Sequence, residues 1–296
     1  MRLVTTVGEL QMWADAQRAA GRRIALVPTM GALHAGHRAL CDEARRRADV
    51  VVVSIFVNPT QFDQSADLEQ YPRPLESDLE TCRGAGVDAV FTPGVGELYP
   101  EGSQTWVEVT EVSRPLEGRS RPGHFRGVAT VVSKLFLAAK PHVAVFGEKD
   151  YQQLAVIRRM VRDLGFDVEI AGHPIVREAD GLALSSRNVH LDAEMRRQAL
   201  VLSRALDAAE RAVSGGEREV RRILHAVALE LGKAPLLELD YAELRDPETF
   251  DVVSGEIPGP TLLALAARLR KPDGPPRATV RLIDNRVLQP PTRSEE

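Results

Sequence analysis

The 296-residue sequence has few cysteines and no long apolar segment. Its two cysteines, Cys41 and Cys82, form no CxxC pair, so we expect reduced, partly buried thiols rather than a disulfide framework or a metal site. The longest mainly apolar run, residues 50–57, is far shorter than the roughly 20 residues of a membrane-spanning helix. Residues 1–13 contain Glu9 and no continuous apolar core, which is not the pattern of a signal peptide. These absences predict a cytoplasmic protein without a membrane segment.

An excess of positive charge is also missing from the sequence. The formal net charge is −4 at pH 7, whereas general binding to a nucleic-acid backbone requires a basic surface. A content of 44% hydrophobic and 27% charged residues is ordinary for a globular protein. We therefore expect no nucleic-acid partner, and any polyanion must meet a local cationic site.

Residues 24–170 alternate between short β-branched runs and amphipathic runs of helical length. This alternation predicts an α/β domain with a doubly wound parallel sheet of Rossmann-like type, spanning residues 1–175. The expected strands are residues 24–27, 50–57, 87–91, 143–146 and 168–170. The expected crossover helices are residues 36–48, 75–85, 128–139 and 152–164.

The pattern changes after residue 175 and predicts a smaller α+β domain over residues 176–296, which we expect to act as a lid. The expected helices are residues 192–213 and 217–231. The expected strands are residues 237–244, 262–268 and 278–283. Proline-rich residues 271–276 predict an exposed loop, and residues 290–296 a loose tail.

Three polar motifs follow strands of the predicted parallel sheet. Residues 28–37 follow the first strand, residues 58–61 the second, and residues 147–150 the strand that ends at Phe146. Ligands of open α/β sheets bind beyond the carboxyl ends of the strands. We therefore expect the three motifs to line one cleft.

The first motif has the features of a phosphate site. Gly31 and Gly36 let the backbone approach a ligand closely, and a helix N-terminus favours an anion. His34 and His37 could instead cap a helix and sit as a satisfied histidine, and zinc lacks a third ligand at suitable spacing. At a strand end, phosphate contact is the favoured interpretation, with histidine supplying positive charge to a phosphoryl oxygen.

The second motif predicts an uncharged pocket for a small polar substrate. Asn58 and Gln61 can both hydrogen-bond a ligand, although Asn-Pro also commonly begins an ordinary turn. Lys149 in the third motif can reach a phosphate or can form an exposed ion pair with the flanking carboxylates. Gln153 would follow Lys149 by one helical turn and face the same cleft.

Two further segments each admit a functional and a structural interpretation. Ser185, Ser186 and Arg187 lie in a loop beside the domain change, where they could clamp a polyphosphate or simply cap a helix. Residues 124–127, His-Phe-Arg-Gly, predict a basic turn before a helix, for which function and a purely structural role stay open.

With these motifs in order, the sequence resembles the pantoate-beta-alanine ligases, a family of the nucleotidyltransferase superfamily with a His-x-Gly-His signature. The segments that carry the resemblance are residues 27–34, 54–59, 146–150 and 176–188. The resemblance implies ATP-dependent condensation of (R)-pantoate with beta-alanine through a pantoyl adenylate, with release of pyrophosphate and AMP. It also implies a magnesium requirement and a homodimer.

The resemblance assigns roles to individual residues. It implies that ATP contacts Met30, Gly31, Ala32, Leu33, His34, Ala35, Gly36, His37, Gly147, Glu148, Lys149, Asp150, Val176, Leu184, Ser185, Ser186 and Arg187. Of these, His34, His37, Lys149 and Arg187 are the expected catalytic residues. Pantoate is assigned to Gln61 and Gln153, beta-alanine also to Gln61, and Asn58 is a further candidate for substrate contact.

The magnesium ligands are not identified, and only Asp78 and Asp150 are candidates. Two other functions compete with the ligase. An adenylyl- or cytidylyltransferase would share the fold and the two histidines but release a nucleotide conjugate as its product. A non-catalytic module would bind ATP without turnover.

Overall fold

The computed structural model describes residues 1–63, 65–270 and 279–291, with the side chains of residues 65–67 excluded. The predicted loop at 271–276 and the predicted tail from residue 292 lie outside the described residues. The chain divides into two compact units, Met1–Ile175 and Val176–Glu296.

The first unit is built on a six-stranded sheet in the order β1-β4-β3-β2-β5-β6. Every pair of neighbouring strands is parallel, which confirms the predicted α/β class. The strands are β1 (Arg2–Val4), β2 (Ile24–Thr29), β3 (Val50–Ile55), β4 (Ala89–Phe91), β5 (Val143–Gly147) and β6 (Glu169–His173).

Helices cover both faces of this sheet. They are α1 (Val7–Ala19), α2 (Ala35–Arg47), α3 (Ser65–Gln70), α4 (Leu75–Gly84), α5 (Val95–Leu98), α6 (Glu117–Ser120), α7 (His124–Ala139) and α8 (Tyr151–Leu164). Two short 3-10 helices, Pro59–Gln61 and Glu148–Asp150, follow β3 and β5. Helices α1, α7 and α8 pack on one face, whereas α2 and α4 pack on the other.

Alternation along β2 shows how the sequence builds this two-sided core. Ile24 and Leu26 belong to the cluster with α1, α7 and α8, whereas Ala25 and Val27 belong to the cluster with α2 and α4. All four side chains are fully buried. A strand whose successive side chains point to opposite faces must be apolar throughout when both faces are covered, as the run predicted.

Strand β1 and helix α1 precede the predicted alternation, which begins at Ile24. A local signal marks the start of α1: Thr6 Oγ1 accepts from the backbone nitrogen of Glu9, whose carboxylate accepts in return from that of Thr6. This reciprocal capping box is readable from the Thr-x-x-Glu spacing. The additional strand extends the sheet at the β4 edge.

The predicted basic turn at 124–127 is wrong, because these residues form the first turn of α7. Gly123, with φ of 83°, takes the left-handed conformation that turns the chain into the helix. The backbone nitrogen of His124 then donates to the Arg121 carbonyl, and that of Gly127 donates to the Gly123 carbonyl, at 3.1 Å each. The helix therefore begins at His124 rather than at residue 128.

The second unit packs three helices on a three-stranded antiparallel sheet in the order β7-β8-β9, so the predicted smaller α+β fold is confirmed. The elements are α9 (Ala193–Ala199), α10 (Val201–Ser214), α11 (Val220–Leu231), β7 (Leu237–Arg245), β8 (Thr261–Leu269) and β9 (Val280–Leu288). The single helix expected over 192–213 is two helices, because the backbone N–H of Leu200 donates to Gln198 and interrupts the hydrogen-bond ladder.

The two cysteines and the lengths of the helices can be compared with what the sequence predicted. Cys41 on α2 and Cys82 on α4 are buried and unpaired, and burial raises the pKa of their thiols to about 12 and about 11. Such thiols stay protonated and unreactive at neutral pH. Among the described residues, no helix has the length and apolar character needed to cross a membrane.

Candidate active site

The three predicted polar motifs follow β2, β3 and β5, which are neighbours in the sheet. From β2 the chain proceeds to β3 and β4 on one side and then crosses to β5 on the other, so the strand order reverses between β2 and β5. Parallel sheets bind ligands at such a reversal, beyond the carboxyl ends of the strands. The motifs also touch, because Gln61 Nε2 lies 3.0 Å from Met30 Sδ.

The turn after β2 is fastened by a carboxylate from α4. Gly31 and Ala32 both adopt positive φ, 84° and 51°, which turns two successive backbone N–H groups to one side. The nitrogens of Ala32 and Leu33 donate to Asp78 at 2.9 and 2.7 Å. Asp78 is 1% exposed, and a Cβ at position 31 would lie 2.9 Å from its Oδ2. Glycine is therefore required at residue 31.

Asp78 is one of the two candidate magnesium ligands, and in this structure each of its oxygens accepts one backbone N–H group, so the carboxylate fastens the turn. Asp150 is the other candidate, and its carboxylate lies 3.7 Å from the Lys149 ammonium group. Within the described ranges, no group of three or more His, Cys, Asp or Glu side chains could hold a metal ion. The carboxylates near the site fit the common mode of Mg²⁺ binding in which one or two carboxylates, water and the phosphates of the substrate are the ligands.

His34 and His37 cap the start of α2 reciprocally. The backbone nitrogen of Gly36 donates to His34 Nδ1 at 3.1 Å, and that of His34 donates to His37 Nδ1 at 3.3 Å. A backbone N–H can only donate, so each Nδ1 is the acceptor and the proton of each neutral ring lies on Nε2. The helix cap and the phosphate contact are therefore compatible, since capping leaves the His37 Nε2–H as a donor.

The electrostatic state of His37 differs from the expected positive charge. Burial, with smaller contributions from His34 and Lys149, lowers the pKa of His37 to about 3, against the opposing effect of Asp150. The ring is therefore neutral at pH 7 without ligand and acts as an N–H donor rather than as a cation. The influence of Lys149 and Asp150 also places the motif after β5 close to the motif after β2.

One backbone N–H fixes which end of the Asn58 and Gln61 side-chain amides is the oxygen and which is the NH₂ group. Asn58 Oδ1 accepts from the nitrogen and the hydroxyl of Thr60, at 3.4 and 2.9 Å. Asn58 Nδ2 must then donate, and it does so to Gln61 Oε1 at 3.0 Å and to the Gly127 carbonyl at 3.2 Å. Gln61 therefore presents its NH₂ group to the site. Asn58, 1% exposed, orients Gln61, and protein groups occupy both ends of its amide, so its direct contact with substrate stays a prediction.

Two neighbouring glutamines at the start of α8 have different roles. Gln152 is buried, and its amide holds residues 112–117 through the Val112 and Pro115 carbonyls and the Glu117 nitrogen. Gln153 is partly buried, and its amide makes no hydrogen bond within the described part of the chain. Gln153, which the sequence singled out, is thus the one whose polar group remains available to a ligand.

In the second unit, the remaining predicted ATP contacts lie on or beside one short hairpin. The Leu184 nitrogen donates to the Val176 carbonyl at 2.9 Å, and Arg177 forms a bidentate pair with Asp284 of β9 at 2.7 and 2.9 Å. A 3-10 helix, Ser186–His190, follows the hairpin, and Ser185 Oγ caps it by accepting from the Arg187 nitrogen.

Arg187 is exposed, and its guanidinium makes no ion pair within the ranges that the structure describes. Ser185 therefore has the capping role considered above, and the Arg187 charge is available to an anionic ligand.

Three residues have supporting roles that the sequence did not indicate: Asp78 fastens the turn, and Arg121 and His124 contact the Gln61 carbonyl. Asp78 and Ala32 are 46 residues apart in the chain, and His124 and Gln61 are 63 residues apart. No local spacing could have connected them. The basic character of residues 124–127 was the one available signal.

Comparison with known proteins gives one consistent result. The sequence matches the pantoate-beta-alanine ligase family over residues 2–287. The pantothenate synthetase of Syntrophobacter fumaroxidans is 57% identical over 290 residues, covering 98% of this chain and 99% of that protein.

Solved structures agree. A pantothenate synthetase from Thermus thermophilus superposes with a TM-score of 0.88 at 48% identity, covering 98% of this chain and 100% of that one. The Francisella tularensis pantoate-beta-alanine ligase, complexed with beta-gamma ATP and beta-alanine, gives a TM-score of 0.77 at 32% identity, with 97% of each chain covered. The resemblance of the motifs is thereby confirmed, and the chain belongs to the pantoate-beta-alanine ligase family.

Proposed function

We propose that this chain condenses pantoate with beta-alanine in two ATP-dependent steps. The carrying observation is the pair of loops that flank the strand reversal: one presents the neutral His37 Nε2–H, and the other presents Lys149. A helix N-terminus, an N–H donor and an ammonium group around one point suit a polyphosphate. The membership in a ligase family supplies the reaction.

In the first step, the pantoate carboxylate attacks the α-phosphorus of ATP, and the bond to the pyrophosphate leaving group breaks. Negative charge increases on the phosphoryl oxygens in the transition state. His37 and Lys149 stabilise that charge by hydrogen bonding and by the ammonium charge. We assign them this role, with His34 and the remaining residues of the 30–37 and 147–150 loops as further ATP contacts.

Gln61 and Gln153 orient pantoate. Gln61 offers an NH₂ group whose direction is set by Asn58, and Gln153 has an amide without an internal partner in the described chain. Neutral donors can bind the carboxylate and hydroxyl oxygens of a polyol acid without neutralising the carboxylate that must act as nucleophile. Lysine or arginine at these positions would hold that carboxylate as an ion pair.

In the second step, the amine of beta-alanine attacks the carbonyl carbon of the pantoyl adenylate. An amide bond forms, AMP leaves, and the amine loses a proton. Neither step requires an enzyme nucleophile, and the buried cysteine thiols, with their raised pKa values, are unsuited to that role. Gln61 is proposed to bind beta-alanine as well as pantoate.

For the second unit we assign ATP contacts to Val176, Leu184, Ser185, Ser186 and Arg187. The exposed, unpaired Arg187 guanidinium supports this assignment within the described chain. Magnesium would be held through the ATP phosphates with Asp150 as a carboxylate ligand, and it would neutralise phosphate charge. A homodimer in the cytoplasm remains part of the proposal from the family resemblance and the composition.

A pyrophosphate-release assay tests the function. We expect pyrophosphate from ATP only when pantoate is present, and AMP with stoichiometric amide when beta-alanine is added. A stable nucleotide conjugate that persists in beta-alanine would support the transferase alternative. Binding of ATP without any turnover would support the non-catalytic module, and either result would overturn the proposal.

A further inference from the structure

A buried histidine contacts the backbone of the proposed substrate residue Gln61. His124, 8% exposed, begins α7, and its Nδ1 lies 2.9 Å from the Gln61 carbonyl oxygen. Arg121 Nη2 lies 3.2 Å from the same oxygen, and Arg121 Nη1 lies 3.3 Å from His124 Nε2. The imidazole and the guanidinium thus meet at one carbonyl and also contact each other.

The direction of each hydrogen bond follows from the chemistry of the groups. A carbonyl oxygen can only accept and a guanidinium can only donate. His124 must therefore carry its proton on Nδ1 and accept from Arg121 at Nε2. Burial and the Arg121 charge lower the pKa of His124 to about 4, which keeps the ring neutral in this tautomer at pH 7. His124 thus connects the Arg121 guanidinium to the Gln61 carbonyl.

The carbonyl that receives these bonds belongs to the last residue of a single-turn 3-10 helix, Pro59–Gln61. The terminal carbonyl of a helix has no partner inside the helix. The two hydrogen bonds of this turn are also long, 3.4 Å from the Gln61 nitrogen to the Asn58 carbonyl oxygen and 3.3 Å from the Phe62 nitrogen to the Pro59 carbonyl oxygen. Such a short helix has little stability of its own, so outside contacts must fix its conformation.

Helix α7 makes a second close contact with the same segment. A Cβ on Gly127 would lie 2.4 Å from the Thr60 carbonyl oxygen, and Asn58 Nδ2 donates to the Gly127 carbonyl at 3.2 Å. The first turn of α7 therefore holds the segment at its start through Asn58 and at its end through His124. The Gln61 side chain projects from a backbone that is fixed on both sides.

We propose that Arg121 and His124 are positioning residues that fix the Gln61 backbone, and thereby its NH₂ group, in the orientation that binds pantoate. The proposal rests on the proposed role of Gln61. Neither residue needs to touch substrate. Their contribution is geometric, because a misplacement of about 1 Å in a substrate-positioning group can reduce catalysis about 10²-fold.

Two substitutions at residue 124 separate positioning from folding. In His124→Asn the side-chain NH₂ can take the place of Nδ1–H and donate to the Gln61 carbonyl, whereas His124→Leu has no donor. We expect His124→Leu to raise the pantoate KM at least about tenfold while changing the ATP KM less than about twofold. His124→Asn should restore most of the pantoate affinity. Melting temperatures of both variants report the accompanying loss of stability.

His142→Leu is the matched control. His142 Nδ1 also bonds the backbone, accepting from the Ile24 nitrogen at 3.0 Å, but Ile24 is the first residue of β2 and lies at the amino ends of the strands, away from the site at their carboxyl ends. We expect this variant to lose stability without a change in pantoate KM. An unchanged pantoate KM in His124→Leu would overturn the proposal, as would equal increases in the pantoate and ATP KM values.

The tautomer can be measured without activity. In protein labelled with ¹⁵N-histidine, we expect the His124 resonances, identified by their loss in His124→Asn, to show protonation at Nδ1 and none at Nε2 at pH 7. An Nε2-protonated ring or an imidazolium would overturn the proposed connection from Arg121 through His124 to the Gln61 carbonyl. If His124 is protonated at Nδ1 but the wild-type protein releases no pantoate-dependent pyrophosphate, the proposed function fails instead.

Discussion

Asp78 Oδ1 accepts a hydrogen bond from the backbone nitrogen of Leu33 at 2.7 Å, across 45 residues of sequence. Successive N–H groups in a left-handed turn form a concavity that in other proteins binds phosphate. Here the protein's own carboxylate fills it. The turn is thereby held ready for a ligand, and within the first unit the proposed phosphate contacts are left to the start of α2 and to Lys149.

Asp78→Asn should weaken both the fold and nucleotide binding. An amide can accept only one of the two N–H groups and turns its own NH₂ toward the other. We expect a loss of about 1–3 kcal/mol in the free energy of unfolding, measured by denaturant titration, and a higher ATP KM. Asp246→Asn is the control for the loss of charge at a turn: Oδ1 of Asp246 accepts both backbone N–H groups, from Glu248 and Thr249, and an amide oxygen can keep them, so we expect a smaller loss of stability and an unchanged ATP KM. A rise in ATP KM in both variants would contradict the specific role.

Gly127→Ala should displace the segment that carries Gln61. The new Cβ would lie 2.4 Å from the Thr60 carbonyl oxygen, so α7 and residues 58–61 must separate. Overpacking of this kind costs about 1–3 kcal/mol. We expect a lower melting temperature and a raised pantoate KM. Gly8→Ala, where no atom lies within 4 Å of the new Cβ, should leave both nearly unchanged or slightly increase stability.

His37→Ala should reduce pantoate-dependent pyrophosphate release at least about 10²-fold, the effect of removing one donor from a developing anion. Lys149→Ala should have an effect of similar size. His37→Gln can place an NH₂ group near the position of Nε2–H and should recover part of the rate. Near-wild-type release by folded His37→Ala would exclude the assigned role.

Arg187→Lys tests whether the second unit binds phosphate through a guanidinium. A lysine keeps the charge but cannot reproduce a bidentate fork. We expect a lower rate and a higher ATP KM with an unchanged melting temperature, since Arg187 is exposed and makes no ion pair within the described residues. Full rate together with wild-type ATP affinity would exclude the fork.

Stability should fall as the pH decreases from about 6.5 toward 4. The pKa of His124 is lowered to about 4, chiefly by burial, from an ordinary value of 6.5. In this window the unfolded chain binds a proton that the folded protein does not, so acid favours unfolding, by up to about 1.4 kcal/mol per pH unit for one such group. His37 contributes in the same direction. His124→Asn should show a shallower dependence of melting temperature on pH, and an unchanged slope would contradict the buried neutral ring.

Local patterns in the sequence were sufficient for much of the fold. Apolar β-branched runs predicted β2, β3 and β5, because a strand covered on both faces must be apolar at every position. Helix starts were less well predicted where a single conformational feature decides them. The left-handed Gly123 moved the start of α7 to His124, and a change in the Leu200 hydrogen bond divided the helix that follows Asp192.

The sequence by itself determined the family, the α/β class and the side chains at the strand ends, because these depend on residue type, short-range periodicity and motif order. Only the tertiary structure decided which side chains can meet a ligand. It assigned both oxygens of Asp78 to backbone N–H groups, buried Asn58 behind Gln61, and connected His124 to the Gln61 carbonyl. These contacts join segments 45 or more residues apart or depend on burial. The tertiary structure also decided the charge of His37, because burial lowers its pKa and leaves the ring neutral at pH 7.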